Sequence, residues 1–212
     1  MTFCGKTRLL LAGDSALVVE FGDEISQEVN RKVHALAEAL GKSSLPGLGE
    51  PVPTYRSLLI HYDPLHLSYD EVKAFVLGVL QKCEEEPSLE PGVVEVSVVY
   101  GGEFGPDIEF VAERNGLSVE EVISLHSGAT YTVYMLGFTP GFAYLGGMPE
   151  AIATPRLETP RTLVPAGSVG IAGEQTGIYP IATPGGWRLI GRTPLKLFDP
   201  ERDPPTLLKA GD

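Results

Sequence analysis

The sequence predicts an α+β amino-terminal domain over residues 1–88, followed by a mainly β barrel domain over residues 89–212. Three observations lead to this fold class. Apolar residues in the first domain follow strand and helix periods in the order β-β-α-β-α. The stretch 84–92 (EEEPSLEPG) is acidic and contains two prolines, which is the strongest linker signal in the chain. Between residues 137 and 192, eleven glycines and seven prolines interrupt short apolar pieces, so no helical period can be sustained there.

The amino-terminal domain opens with two short apolar runs within residues 8–21, which predict a tight hairpin. Apolar residues then recur at helical spacing over 25–40. Asp23 is expected to cap this helix and Gly41 to end it, since acidic side chains and glycine are typical of these two positions.

The rest of this domain contains one more strand and one more helix. Residues 41–53 are rich in glycine and proline and predict an unpatterned loop, and 55–62 predicts a strand. Ser68 and Glu71 have the spacing of a capping box, and the apolar residues of 72–83 line one face of the helix that follows. Such a unit can place both helices on one face of a short sheet.

The second domain is expected to begin with a strand at 93–100 and two short helices. The first of these helices spans about 106–115 and is stopped by Gly116. The second is opened by a capping box at 118–121 and ends near His126. The strand-like pieces that follow lie at 130–136, 168–172, 187–190 and 195–198. Their apolar residues and the ordered turns between them favour a β-barrel over disorder.

The overall composition narrows the classes of partner. The 212 residues include 16 Lys+Arg and 28 Asp+Glu, and the net charge of −12 disfavours binding to nucleic acid or to an anionic membrane surface. Cys4 and Cys83 do not form a CxxC pair, so neither a disulfide framework nor a structural metal site is expected. Without a signal-peptide pattern or a long apolar span, we expect a soluble, cytoplasmic protein.

Charge is distributed unevenly along the chain. Residues 137–192 contain four arginines, three glutamates and no lysine, which gives +1 there and leaves −13 for the rest of the chain. The arginines are Arg156, Arg161, Arg188 and Arg192. Guanidinium groups bind carboxylate or phosphate through two parallel hydrogen bonds, so this segment suits recognition of a small anion. The alternative is that the arginines pair with the glutamates and brace the barrel.

Two further features of this region can be interpreted in two ways, and a third argues against one class of enzyme. GFTPGFAYLGG at 137–147 could form a ligand cradle of backbone N–H groups beside aromatic walls, or a core strand with a tight turn. His126 could act as an acid or base near neutral pH, or cap the carboxyl end of its helix. Ser168 is not in a GxSxG nucleophile elbow, which disfavours a serine hydrolase.

Four runs carry a resemblance to a known family: YTVYMLGFTPGFAYLGGMP, ATPRLETPRTLVPAGSVGIAG, QTGIYPIATPGGWRLIGRTP and LKLFDP. In order and spacing they resemble the family of the 5-oxoprolinase B subunit, also called the KipI or allophanate hydrolase subunit 1 family. The resemblance implies a cyclophilin-like β-barrel. It also implies a protein that works with the A and C subunits of 5-oxoprolinase to open the lactam of 5-oxoproline to glutamate with ATP hydrolysis, and that is inactive alone.

The resemblance leaves other functions open. Some members of the family are described as inhibitors of a sporulation histidine kinase, and related domains belong to urea and allophanate amidohydrolase systems. Prolyl isomerase activity would be an analogy from the barrel fold alone. The family usually continues after KAGD with a basic-apolar strand, whereas this chain stops at Asp212, so either the chain is trimmed there or the last barrel strand is lacking.

Within this interpretation, Arg161 is the candidate catalytic anion-binding residue and His126 the candidate for proton transfer or substrate orientation. The candidate substrate-binding residues are Phe138, Pro140, Gly141, Phe142, Tyr144, Pro165, Gly167, Ser168, Gln175, Tyr179, Gly185, Gly186, Trp187 and Arg192. No metal ligands are expected. ATP is expected as the cofactor of the complex, and the chain has no recognisable nucleotide motif that would place ATP on it.

Overall fold

The computed structural model describes residues 7–83 and 92–212, which belong to two compact units. The expected linker at 84–92 and the expected boundary after residue 88 fall almost wholly outside the described residues, as does Cys4. The Cys83 thiol lies 3.8 Å from the Ala35 carbonyl. No helix within the described ranges is long and apolar enough to cross a membrane.

The first unit is an antiparallel sheet with two helices. Its elements are β1 (Arg8–Leu11), β2 (Ala16–Glu20), α1 (Gln27–Gly41), β3 (Leu48–Pro53), β4 (Ser57–Tyr62) and α2 (Tyr69–Cys83). The strand order is β1-β2-β4-β3. Along the two central strands, Leu17, Val19, Leu58 and Ile60 are buried at alternating positions, and both helices pack against the face that they form.

The strand β3 was not expected from the sequence, and the interpretation of 41–53 as a loop is wrong for this part of it. β3 pairs with β4 through Leu48, Pro51, Val52 and Pro53, with a register shift between Leu48 and Pro51. Proline cannot donate a hydrogen bond to a second neighbour, so it is tolerated where a strand lies at the edge of a sheet. The edge position therefore explains why a strand exists where the pattern predicts none.

The helix caps of this unit are partly as expected. Ser68 and Glu71 form the predicted capping box before α2. The cap of α1 is Ser26 rather than Asp23, because the Ser26 hydroxyl accepts a hydrogen bond from the Val29 N–H at 3.2 Å. Asp23 instead accepts a hydrogen bond from Arg8.

The second unit begins with a two-residue strand and a helical pair and continues as short strands. Its helices are α3 (Ile108–Asn115), α4 (Val119–Gly128) and a 3-10 turn at Glu150–Ile152. Its strands are β5 (Val99–Tyr100), β6 (Thr132–Leu136), β7 (Ala143–Gly146), β8 (Arg161–Val164), β9 (Ser168–Ala172), β10 (Gln175–Ile178), β11 (Thr183–Gly185) and β12 (Arg188–Arg192). The predicted stop of α3 at Gly116, with φ of 67°, and the capping box of Ser118 and Glu121 are confirmed.

These strands form an open six-stranded sheet in the order β5-β12-β9-β10-β7-β6 and a separate two-stranded ladder of β8 and β11. A barrel is not confirmed, because the pairings within 92–212 do not close the sheet. The strand expected at 93–100 is reduced to its last two residues. The piece at 195–198 is not a strand either, and its only ladder contact in the described residues is an isolated bridge between Phe198 and Thr206.

Candidate functional site

An aromatic cluster centred on Phe142 lies within the second unit. Phe142 is 1% exposed, and the rings of Tyr144, Tyr179 and Trp187 meet it edge-to-face at centroid distances of 4.9, 5.2 and 5.5 Å. Edge-to-face contacts of this kind add to the stabilisation from buried area. The cluster is therefore part of the core, and Phe142 is one of its fixed points rather than an accessible wall.

The turn before β7 presents a second phenylalanine to solvent. Phe138 is 62% exposed and meets Phe142 at 5.6 Å, and its φ of 65° is the only positive value among the described non-glycine residues. A bulky side chain in this region of backbone space is strained. Thr139 and Pro140 complete the turn, and Gly141, at φ of 78°, leaves only 2.9 Å between an added Cβ and Phe198.

Gly185 makes room for the cluster. A Cβ on Gly185 would lie 2.4 Å from the Tyr179 hydroxyl, so only glycine allows the backbone of β11 to approach this ring. Burial raises the pKa of Tyr179, and a hydrogen bond from the Trp187 backbone partly opposes this shift. Gly186 accepts a hydrogen bond from the Leu157 N–H at 2.7 Å.

An open pocket of about 490 Å³ lies against this cluster. We call it the Tyr144–Trp187 pocket; its lining residues are Tyr144, Pro155, Arg156, Ala172, Gly173, Gln175 and Trp187. Aromatic walls, an amide and one guanidinium are the groups that hold a small planar polar ligand. Burial raises the pKa of Tyr144, and the charge of Arg156 opposes that shift.

Arg161 is bound to a buried carboxylate that the sequence analysis did not single out. Both Asp107 oxygens accept hydrogen bonds of 2.9 Å from Nη2 of Arg161, and Nη1 of Arg161 donates to the Trp187 carbonyl at 3.3 Å. Asp107 also accepts from the Leu189 N–H at 2.7 Å and lies 4.0 Å from Arg188. The alternative in which the arginines pair with the nearby glutamates is therefore wrong for Arg161, whose partner is an aspartate outside residues 137–192.

His126 lies inside the unit and both of its ring nitrogens have partners. Nδ1 is 2.7 Å from the Tyr100 hydroxyl and Nε2 is 2.9 Å from the Thr176 hydroxyl. Thr176 donates its hydroxyl hydrogen to the Gly170 carbonyl, so it accepts from His126, and the proton of a neutral ring therefore lies on Nε2. Burial lowers the pKa of His126 to about 4. The geometry favours a structural role over the predicted titration near neutral pH.

Arg192 and Gly167 line a different pocket, of about 470 Å³, together with Phe104, Leu195 and Lys196. Nε of Arg192 donates to the Ala166 carbonyl at 2.8 Å.

The structure thus separates the candidate residues into groups. Phe138, Phe142, Tyr144, Gln175, Tyr179, Gly185, Gly186 and Trp187 belong to the aromatic cluster and its pocket or border them. His126 belongs to a buried polar group, and Ser168, 2% exposed, is a β9 residue whose carbonyl accepts from the Tyr179 N–H. Pro140 and Pro165 are exposed turn residues.

Two residues of the site were not chosen from the sequence. Asp107 looked like part of a helix start, but its side chain makes no capping bond to α3 because it binds Arg161. The sequence distinguishes Arg156 only as one of four arginines in its segment, although Arg156 lines the Tyr144–Trp187 pocket. Residues 7–83 and 92–212 contain no cluster of three or more His, Cys, Asp or Glu that could hold a metal ion.

Comparison with known proteins gives consistent matches along the chain. Residues 7–208 match the family described as carboxyltransferase domain, subdomain C and D. The chain is 51% identical over 210 residues to the 5-oxoprolinase B subunit of Bacillus subtilis (strain 168), covering 94% of this chain and 88% of that protein. It is 46% identical over 211 residues to the 5-oxoprolinase B subunit of Escherichia coli O157:H7, covering 98% and 94%.

Two further matches are to longer proteins. The crystal structure of TTHA0988 superposes with a TM-score of 0.82 at 44% identity, covering 93% of this chain but 38% of that chain. Urea amidolyase of Saccharomyces cerevisiae is 24% identical over 211 residues, covering 86% of this chain and 11% of that protein. The family match and the two near-full-length relatives agree with the resemblance seen in the sequence. The chain therefore belongs to the carboxyltransferase subdomain C and D family and, within it, to the family of the 5-oxoprolinase B subunit.

Proposed function

We propose that this chain is the B subunit of an ATP-dependent 5-oxoprolinase, a complex with the A and C subunits that opens 5-oxo-L-proline to L-glutamate. The observation that carries the proposal is the extent of the similarity, since the match spans 88% of the Bacillus subtilis protein at 51% identity. The urea amidohydrolase alternative rests on a relative at 24% identity and is less well supported.

We place the lactam in the Tyr144–Trp187 pocket. Its rings can stack on a small planar molecule, and Gln175 adds amide hydrogen bonding. In this proposal Arg161 and His126 hold the surrounding backbone rather than touch the substrate. The carboxylate of Asp107 already occupies Nη2 of Arg161, and two hydroxyls occupy the His126 ring.

The chain is proposed to be inactive without its partners. Opening a lactam needs an activating group and a nucleophile, and the described residues that line the pocket include no Ser, Thr, Cys, His, Lys, Asp or Glu. The match to the longer TTHA0988 chain covers 93% of this chain but only 38% of that one. This supports a protein that works beside other modules. ATP is assigned to the complex as a whole, and the cyclophilin-like barrel remains a prediction from the family resemblance.

Reconstitution tests this function directly. The chain is co-expressed with the A and C subunits, purified by a tag on this chain, and assayed for glutamate release from 5-oxo-L-proline with and without ATP. We expect glutamate only when all three proteins and ATP are present. Co-purification without ATP-dependent glutamate release would contradict the assignment, and so would failure to co-purify.

Phe138 offers a test of partner binding. It is an exposed, strained aromatic residue at the tip of a turn, and such residues often become the centre of an interface. We expect Phe138→Asp to reduce co-purification with the C subunit by about tenfold or more. The matched control is Leu65→Asp, which changes an even more exposed apolar residue in the first unit. Equal capture of the C subunit by both variants would show that Phe138 is not at the interface.

A further inference from the structure

The arginines of residues 137–192 differ in what already binds them. Arg161 and Arg188 share Asp107, and Arg188 also covers the Phe110 ring at 3.8 Å. Arg192 donates Nε to a backbone carbonyl. Arg156 is exposed, and within the described parts of the chain its guanidinium has neither a hydrogen-bond partner nor an ion-pair partner. Arg156 is thus available to a ligand.

The backbone on both sides of Arg156 is held in place. Thr154 and Gly173 exchange two backbone hydrogen bonds of 3.1 and 2.8 Å, and the Leu157 N–H donates to the Gly186 carbonyl at 2.7 Å. Arg188 donates to the Pro155 carbonyl at 3.4 Å. A side chain carried on a fixed backbone loses less conformational entropy when it binds a ligand. The local structure therefore fixes the backbone from which Arg156 reaches the pocket.

The chemistry of the pocket around Arg156 is that of an anion site with aromatic walls. Among the described lining residues, Arg156 is the only charged one, and Tyr144 and Trp187 provide the rings. Glu174, beside the pocket residue Gln175 in sequence, is exposed and does not pair with Arg156. A guanidinium group can donate two parallel hydrogen bonds to one carboxylate, and the rings favour a flat molecule beside it.

We propose that Arg156 binds the carboxylate of a small planar ligand in the Tyr144–Trp187 pocket, with the ligand's ring against Tyr144 and Trp187. The identity of this ligand as 5-oxo-L-proline rests on the proposed function, since that molecule combines a carboxylate with a flat lactam. The proposal that the pocket binds a carboxylate does not depend on the proposed function, because it follows from the residues that line the pocket. Arg161, the arginine chosen from the sequence, is already neutralised by Asp107.

The protein contains its own probe for this binding. Trp187 is the single tryptophan of the chain and lines the pocket, so its fluorescence reports ligands that enter. The full chain is titrated with 5-oxo-L-proline and with 2-pyrrolidinone, which has the same lactam ring but no carboxylate. We expect 5-oxo-L-proline to change the fluorescence with saturation, and 2-pyrrolidinone to bind at least about tenfold more weakly.

Variants assign the effect to one side chain. Arg156→Ala should weaken 5-oxo-L-proline binding by about tenfold or more and leave 2-pyrrolidinone binding unchanged. Arg114→Ala, the matched control, removes an exposed arginine of α3 outside the pocket and should bind like the unchanged chain. Equal binding of 5-oxo-L-proline by Arg156→Ala and the unchanged chain overturns the proposal, as does equal binding of the two lactams by the unchanged chain.

Acetate and glutarate separate this inference from the proposed function. If the reconstituted complex releases no glutamate from 5-oxo-L-proline, the proposed function fails. Arg156-dependent fluorescence changes with acetate or glutarate would still support a carboxylate site in the pocket. If none of these carboxylates changes the Trp187 fluorescence of the full chain, the carboxylate site is overturned.

Discussion

Two regions of the second unit use the same kinds of side chain in opposite ways. In the interior, the carboxylate of Asp107 and the ring of His126 have all their main hydrogen-bonding atoms occupied by other parts of the chain. At the Tyr144–Trp187 pocket, Arg156 is exposed and has no hydrogen-bond or ion-pair partner among the described residues. Polar groups with internal partners fix the fold, whereas groups without them remain available to bind a ligand. Position in the sequence does not distinguish these two kinds of group, since Arg161, which binds Asp107, and Arg156, which has no such partner, are near neighbours in the chain.

The largest effect is expected at Asp107. Asp107→Ala removes the carboxylate that binds Arg161 and the Leu189 N–H, so a partly buried guanidinium loses its counter-charge. The free energy of unfolding should fall by about 3 to 5 kcal/mol. Urea unfolding followed by Trp187 fluorescence measures this, because the Trp187 side chain is buried in the aromatic cluster of the same unit.

The control for Asp107→Ala is Glu113→Ala, which removes an exposed carboxylate of α3 and should change the unfolding free energy by less than about 0.5 kcal/mol. If Asp107→Ala unfolds at the same urea concentration as Glu113→Ala, the interior cluster does not stabilise the fold, and the contrast between the two regions is lost.

A slightly smaller effect is expected from His126, and it depends on pH. Burial lowers the pKa of His126 in the folded protein to about 4, from an ordinary value of 6.5, so the unfolded chain binds the proton more tightly. The contribution of the neutral His126 ring to the free energy of unfolding is therefore fully present above about pH 6.5 and is lost as the pH falls toward 4. The total loss is about 3 kcal/mol.

Carboxylates also titrate in this pH range, so the measurement is a difference. His126→Gln keeps a donor and an acceptor in the same place but does not titrate. The unfolding free energies of the original chain and of this variant should converge as the pH falls from 7 to 4. Parallel pH profiles would mean that His126 is accessible to water and can act as an acid or base, as the sequence suggests.

The sequence predicted most helices and central strands because their side chains repeat with a clear period. It did not predict β3, whose prolines are allowed only by an edge position that depends on β4. The aromatic residues of the site were predicted as a group, but not which of them are buried. Phe138 and Phe142 look alike in sequence, and only the turn between them makes one exposed and the other 1% exposed.

The polar residues were harder to interpret for a similar reason. Asp107 and Arg161 come together through long-range folding, and no local spacing relates them. The hydroxyl partners of His126, Tyr100 and Thr176, lie on two separate strands. Whether a histidine or arginine in such a segment is structural or binds a ligand can be decided only when its partners from distant parts of the chain are known. Loss of activity in an Arg161 or His126 variant therefore needs a stability measurement beside it.

The smallest change in unfolding free energy is expected from Arg156→Ala. Comparing it with Arg161→Ala tests directly whether the two arginines differ in their internal partners. Arg161→Ala leaves Asp107, 7% exposed, without the Nη2 group that both of its carboxylate oxygens bind, and should cost about 2 kcal/mol of unfolding free energy. Arg156→Ala removes a side chain with no partner in the described structure and should change this free energy by less than about 0.5 kcal/mol. Both values come from urea unfolding followed by Trp187 fluorescence, with Arg114→Ala as the surface reference. A loss at Arg156 as large as that at Arg161 would mean that Arg156 has an internal partner in solution, and its charge would then not be free to hold a carboxylate.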